Sequence, residues 1–201
     1  MSNIVKEFES RIMLTNDEYM NIVSFYMKLY PEHHFLQNTN TYFDSEDLFL
    51  RQKHITLRVR TINDVKSELT IKIKGENGDQ EINDDLSLKD MDLLFNDNKF
   101  PEGNVKKYLL SLSYPLNAYK PIVTLYNRRL EIKYDDHLLV IDKNVYNDIT
   151  DYNLEIEVQD DIKLAKEKLQ YYINKFNLSL DKQKYAGKAS RAIMSAKKAV
   201  N

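Results

Sequence analysis

The chain has 201 residues, with 29 Lys and Arg against 31 Asp and Glu, a formal net charge of −2 at pH 7, and neither cysteine nor tryptophan. The length suits one ordinary domain with a sizeable core, and a 42% hydrophobic share excludes disorder born of few apolar residues and high net charge. The lack of cysteine excludes a disulfide framework and a thiolate zinc site, and near-neutrality argues against a protein that coats nucleic acid.

From the N-terminus, residues 3–13 alternate as a half-buried strand. Thr15 with Glu18 then forms a capping-box pattern, and Tyr19, Ile22, Val23, Tyr26 and Leu29 follow at helical spacing until Pro31. Strands are predicted over 38–44, 54–62, 67–74 and 79–83, with Gly75 to Gly78 as the turn between the last two. Ser87 with Asp90 opens a second helical region, broken near Pro101 and resumed through Lys107 and Leu110. Three more strands, 121–134, 137–144 and 151–159, lead to a third helix over about 161–175. That helix carries Ile162, Ala165, Leu169, Tyr172, Ile173 and Phe176 on one stripe, with Asp160 and Asp161 at its start, where the helix dipole favours acid. A short basic helix is expected at about 188–200. No linker or repeat interrupts the chain, so a single domain over 1–201 is expected, and about eight strands with short connections suggest an antiparallel sheet large enough to curl or close. No apolar leader opens the sequence and no run approaches the roughly 18 apolar residues of a membrane span. A soluble cytoplasmic protein with no membrane partner is therefore expected.

The alternation also sorts the charges. Glu7, Glu9 and Arg11 share one strand face opposite Phe8 and Ile12; Arg58 and Arg60 alternate with Leu57 and Val59; Glu68, Thr70, Lys72 and Lys74 oppose Leu69, Ile71 and Ile73. Further along, Arg129, Glu131 and Lys133 share a face, and Glu155 and Glu157 alternate with Leu154, Ile156 and Val158. A solvated outer face explains such a pattern. Yet the charges are dense, with acidic and basic pairs on separate strands, and three amphipathic helices need apolar surface to cover. If they cover the hydrophobic face from outside, a closed sheet holds its charged face inward, where charges must be paired, hydrated or neutralised by ligands. Such an interior implies a bound polyanion with divalent cations. Other chemistries find little support: His33 and His34 are adjacent and His54 and His137 isolated, giving no His-x-x-x-His spacing, and no phosphate-cradling glycine loop or nucleophile elbow is present.

The ordered set Glu7-Phe8-Glu9-Ser10-Arg11, Tyr42-Phe43-Asp44-Ser45, Leu57-Arg58-Val59-Arg60, Leu69-Thr70-Ile71-Lys72, Asn127-Arg128-Arg129-Leu130-Glu131, Val140-Ile141-Asp142-Lys143, Tyr152-Asn153-Leu154-Glu155-Ile156-Glu157 and Lys188-Ala189-Ser190-Arg191 resembles the CYTH superfamily of triphosphate tunnel metalloenzymes, in particular its stand-alone bacillus-type members. The first segment matches that family's Glu-x-Glu-x-Lys signature except at Arg11, where a planar fork replaces a compact ammonium and changes the geometry toward phosphate.

The resemblance implies an α+β fold: an eight-stranded antiparallel closed β-barrel, or tunnel, with a charged interior and helices packed outside. It implies metal binding at Glu7, Glu9, Asp142, Glu155 and Glu157, with Mg²⁺ or Mn²⁺ as cofactor, and phosphate binding at Arg11, Arg58, Arg60, Lys72, Arg129, Lys188 and Arg191; Glu81 lies near a further acidic position. Glu7, Glu9 and Arg11 are the residues it places in catalysis. The expected activity is metal-dependent hydrolysis of a terminal phosphate of inorganic triphosphate or a related organic triphosphate. A non-catalytic polyphosphate- or nucleotide-binding module and a class IV-type adenylate cyclase are the alternatives. A triphosphate-containing small molecule is thus the expected partner, and nucleic acid is not.

Overall fold

The computed structural model describes residues 5–75, 78–159, 161–179 and 186–198, with only the backbone of residues 5–7, 197 and 198. Among these the order is β1 (Val5–Leu14), α1 (Asn16–Leu29), β2 (Leu36–Asp44), α2 (Phe49–Gln52), β3 (Ile55–Ile62), β4 (Lys66–Ile73), β5 (Asp79–Leu86), α3 (Leu88–Asn96), α4 (Asn104–Ser111), a 3₁₀ turn (Leu116–Ala118), β6 (Lys120–Lys133), β7 (Leu138–Tyr146), β8 (Ile149–Val158), α5 (Ile162–Phe176) and α6 (Lys188–Lys198). The fold is α+β, with eight strands in antiparallel pairing. The chain divides into two compact units, one built chiefly from residues 38–125 with α6, the other from 7–37 with 126–187.

In the first unit β2, β3, β4 and β5 pair in sequence, Phe43 opposite Leu57, Val59 opposite Leu69 and Lys72 opposite Glu81. Alternation sends Phe43, Leu57, Val59, Leu69 and Ile71 to one face, where they pack with Leu94 of α3, Val105 and Leu109 of α4, and Tyr119. α3 starts on a complete capping box of Ser87 and Asp90. α4 has no side-chain cap of its own, and its first N–H groups are taken instead by Asp84 of β5, which accepts from Asn104 N at 3.0 Å and Val105 N at 2.7 Å. The tight approach requires glycine at 103, because a Cβ there would collide with the Asp84 carboxylate. Between β4 and β5, Gly78 adopts φ 99, as the predicted turn requires; residues 76 and 77 lie outside the described residues.

In the second unit β6, β7, β8 and β1 pair in turn, with Leu130 opposite Ile141, Ile141 opposite Leu154 and Leu154 opposite Ile12. Their apolar face carries Ile12, Leu130, Ile132, Leu139, Ile141, Leu154 and Ile156, covered by Tyr19, Ile22 and Tyr26 of α1 and by Ala165, Leu169, Tyr172 and Ile173 of α5. Each fully buried Leu or Ile among them contributes about 1.5–3 kcal/mol. Thr15 and Glu18 close the expected capping box, at 3.2 Å for Glu18 N to Thr15 Oγ1 and 2.7 Å for Thr15 N to Glu18 Oε2. Asp161 caps α5 through Lys163 N at 3.0 Å, while Asp160 lies outside the described residues.

The second helical region is broken near Pro101 as expected, into α3 and α4. Several other expectations are corrected. The short helix α2 was not predicted. It forms because buried Asp44 accepts from Ser45 N at 2.8 Å, Leu50 N at 2.9 Å and Arg51 N at 3.0 Å, so that a single carboxylate organises the turn. Burial raises the Asp44 pKa against the lowering effect of those bonds. Leu29, placed on the α1 stripe, is 53% exposed. β5 runs three residues further than expected, to Leu86. No helix among the described residues is long and apolar enough to cross a membrane.

Candidate active site

Each unit turns a polar face away from the helices that cover its apolar side, and most of the predicted site residues fall on these two faces. In the second unit the register sets Arg129 opposite Asp142, Asp142 opposite Asn153, Arg11 opposite Glu155 and Glu9 opposite Glu157. Arg129 forms a bidentate pair with Asp142, Nε to Oδ1 at 2.9 Å and Nη2 to Oδ2 at 3.0 Å. Its Nη1 donates to Glu131 at 3.3 Å, and Glu157 and Glu155 stand 3.8 and 3.7 Å from Nη1 and Nη2. Burial works against the Arg129 charge, but Asp142, Glu157 and Glu155 outweigh it and raise the guanidinium pKa well above its ordinary value. Arg11 pairs with Glu9 and, through Nε, with Glu155 at 3.2 Å. The backbone at Gly187 passes close to the Arg11 guanidinium, which a Cβ there would meet at 2.8 Å.

Asp142 is fully buried and also accepts from Asn127 at 2.8 Å and Asn153 at 3.4 Å. Asn127 and Asn153 both bond Asn144, at 3.0 and 2.9 Å, and Asn144 reaches Asp151 at 2.9 Å. Sequence reasoning missed these asparagines and the contact of Glu131 with Arg129. The signal was parity: each lies two residues from a predicted site residue on the same strand face, as in Asn127-x-Arg129-x-Glu131, Asp142-x-Asn144 and Asn153-x-Glu155.

Of the five predicted carboxylates, four come together here: Glu9, Asp142, Glu155 and Glu157. Glu7 lies in β1 by its backbone, and its side chain is outside the described residues. Among the described residues no three His, Asp or Glu side chains form a ready-made metal cage. The donor set nevertheless suits a hard divalent cation, being all carboxylate oxygen. With Glu131 and Asp151 the face carries six described carboxylates against Arg11, Arg129 and Lys133, and it sets Glu9 directly opposite Glu157 across the β1–β8 pair. Like charges so placed repel, and a cation between them reverses the sign of that interaction.

In the first unit Arg58, Arg60 and Lys72 share the polar face with Glu68, Thr70, Asp79 and Glu81. Arg60 bonds Asn40 at 3.2 Å and stands 3.6 Å from Glu68, and Lys72 lies 3.5 Å from both Asp79 and Glu81. Burial pushes the Glu81 pKa up, but the fields of Arg58, Lys72 and Arg60 prevail and leave it lowered. Arg58 makes no ion pair among the described residues, and its Nε is buried with no acceptor there. Lys188 and Arg191 stand three residues apart on α6, hence on one helical face, and both are half-buried.

The histidines do not gather. His137 is buried with Nδ1 2.6 Å from Asp136 and Nε2 2.8 Å from the Tyr172 hydroxyl, under α5 in the second unit, and so serves packing. Beside it, Lys168 and His137 bring the Asp136 carboxyl down to about 2.

Comparison with known proteins agrees with this fold. The family model of the CYTH domain matches residues 5–185. The Bacillus subtilis protein named "Putative triphosphatase YjbK" is 34% identical over 155 residues, covering 77% of this chain and 78% of that protein. The crystal structure of a Bacillus halodurans protein described as "a putative adenylate cyclase (bh2851)" superimposes with a TM-score of 0.84 at 26% identity, over 94% of this chain and 97% of that one. The Hippeastrum protein HpAC1, described as a "Putative adenylyl cyclase" with a dominant triphosphatase activity, shares the fold with a TM-score of 0.75 at 16% identity, over 94% and 95% of the two chains. This chain belongs to the CYTH domain family.

Proposed function

We propose that the protein is a divalent-metal-dependent triphosphatase that hydrolyses the terminal phosphate of inorganic triphosphate or a related organic triphosphate, with the eight strands closed into a tunnel. The observation that carries this reading is the division of charge. One face has a surplus of carboxylates, with Glu9 facing Glu157. The other presents Arg58 with a buried donor that has no acceptor among the described residues. A surplus of hard oxygen donors and a waiting guanidinium are what a metal–polyphosphate complex requires. The sequence relationship to the B. subtilis protein named for triphosphatase activity points the same way.

In this reading Glu7, Glu9, Glu155 and Glu157 hold Mg²⁺ or Mn²⁺. Such an ion, when bound, neutralises phosphate oxygens and makes a water nucleophilic near neutral pH. Arg58, Arg60, Lys72, Lys188 and Arg191 fix the phosphate chain and offset its charge, so the terminal phosphorus is presented in line to the attacking water. Arg11 is held between Glu9 and Glu155, and in this reading its guanidinium also serves the phosphate bound beside the metal. Phosphoryl transfer relies on positioning and charge stabilisation more than on covalent chemistry, and no nucleophilic side chain is needed.

The test is a substrate panel of tripolyphosphate, ATP and thiamine triphosphate, with Mg²⁺ and with Mn²⁺, reading phosphate release and cyclic AMP together. Metal-dependent phosphate release, highest on tripolyphosphate, is expected. Cyclic AMP as the main product from ATP would make the protein a cyclase, and binding without any turnover would make it a non-catalytic module.

A further inference from the structure

The Arg129 guanidinium has five N–H donors, and five carboxylate oxygens surround it. Nε–H meets Asp142 Oδ1 at 2.9 Å. Nη2 faces Asp142 Oδ2 at 3.0 Å and Glu155 Oε2 at 3.7 Å, and Nη1 faces Glu131 Oε1 at 3.3 Å and Glu157 Oε1 at 3.8 Å. The residue is 8% exposed. A guanidinium that grips phosphate presents an open edge of its fork to the oxygens. Here the Nε–Nη2 edge is filled by Asp142 and Nη1 is turned to Glu131 and Glu157.

The surroundings of Asp142 reinforce the point. It is fully buried, bound along both oxygens by Arg129, and further held by Asn127 at 2.8 Å and Asn153 at 3.4 Å. Asn144 ties those two asparagines together at 3.0 and 2.9 Å. A carboxylate so engaged has little capacity left for a metal, and its evident effect is to fix the plane of the guanidinium. Outer groups that orient ligand side chains are worth nearly as much to a metal site as the ligands themselves.

We infer that Arg129 is a positioning residue that holds Glu155 and Glu157 from within the carboxylate cluster without touching substrate phosphate, and that Asp142, braced by Asn127, Asn144 and Asn153, holds Arg129. This rests on the reading of Glu155 and Glu157 as metal carboxylates. It reassigns both residues relative to the sequence resemblance, which put Arg129 on phosphate and Asp142 on metal.

The test uses the full chain and two variants. Arg129→Lys keeps the buried charge but loses the fork, and Asp142→Asn keeps the shape but loses the clamping charge. Mn²⁺ binding is read by electron paramagnetic resonance on the free protein, and tripolyphosphate binding by calorimetry in EDTA. Arg129→Lys should weaken Mn²⁺ binding about 10- to 100-fold, with Asp142→Asn shifting it the same way. Tripolyphosphate affinity in EDTA should stay within about twofold of wild type in both, because no phosphate contact is lost. A loss of about tenfold or more in tripolyphosphate affinity for Arg129→Lys, with Mn²⁺ affinity intact, would place Arg129 on the phosphates and overturn the inference. Should wild type bind no Mn²⁺, the metal reading itself fails. The EDTA measurement then still decides Arg129: an unchanged affinity keeps it off phosphate, and a lost one puts it there.

Discussion

The polar face of the second unit and that of the first handle charge in different ways. In the second, Arg129 is locked to Asp142 at 2.9 and 3.0 Å, the pair is braced by amides, and carboxylates outnumber cations. In the first, Arg60 stands 3.6 Å from Glu68 and Lys72 3.5 Å from Asp79 and Glu81, while Arg58 makes no ion pair among the described residues. Short, buried, multiply held pairs are costly to disturb and fix geometry. Cations at longer range from their carboxylates are able to exchange part of that attraction for a ligand's oxygens. Under the proposed function, the contrast gives positioning and cation binding to the second unit and anion capture to the first.

The most severe way to break this contrast is Asp142→Ala. It leaves Arg129 buried without its bidentate partner and should cost about 3–5 kcal/mol of stability, read as a lower denaturant midpoint at unchanged slope. Arg58→Ala should do the reverse. Losing charge-assisted contacts of about 1.5–3 kcal/mol should weaken tripolyphosphate binding by one to two orders of magnitude, while stability stays within about 0.5 kcal/mol of wild type. If Arg58→Ala instead destabilises the protein as much as Asp142→Ala, the two faces do not differ as described.

Thr15→Ala is a control outside both faces. It removes one half of the α1 capping box and should cost about 1 kcal/mol in a thermal melt, with no change in ligand binding. The smallest effect concerns Glu81. Its pKa is lowered in the folded state, so its contribution to stability is present above the unfolded carboxylate value of about 4.3 and is lost as pH falls through the lower folded value. Glu81→Gln should therefore be less stable than wild type at pH 7, and the gap should close below about pH 4. A gap that persists unchanged in acid would show that the three cations do not act on Glu81.

Much of this arrangement is legible in the sequence because strand parity is a local property. Leu57-Arg58-Val59-Arg60 and Leu154-Glu155-Ile156-Glu157 alternate strictly, and the structure sends their members to opposite faces as expected. Thr15 and Glu18 announce α1 for the same reason, since a cap involves neighbours only. What parity alone does not convey is partnership. Which carboxylate Arg129 faces depends on the β6–β7 register, and the asparagines carry no charge to draw notice. The Asp84 cap of α4 joins residues about twenty positions apart. Asp44 organises α2 from the end of a strand. Both are tertiary facts that no short window contains.

Steady-state phosphate release from tripolyphosphate, with Mn²⁺ and triphosphate varied independently in wild type, Glu155→Gln and Arg58→Ala, tests the division of labour most directly. Glu155→Gln should raise the Mn²⁺ concentration needed for half-maximal rate, leaving the triphosphate requirement nearly unchanged, and Arg58→Ala should do the opposite. Both variants shifting the same requirement, or wild type releasing no phosphate with either metal, would contradict the account.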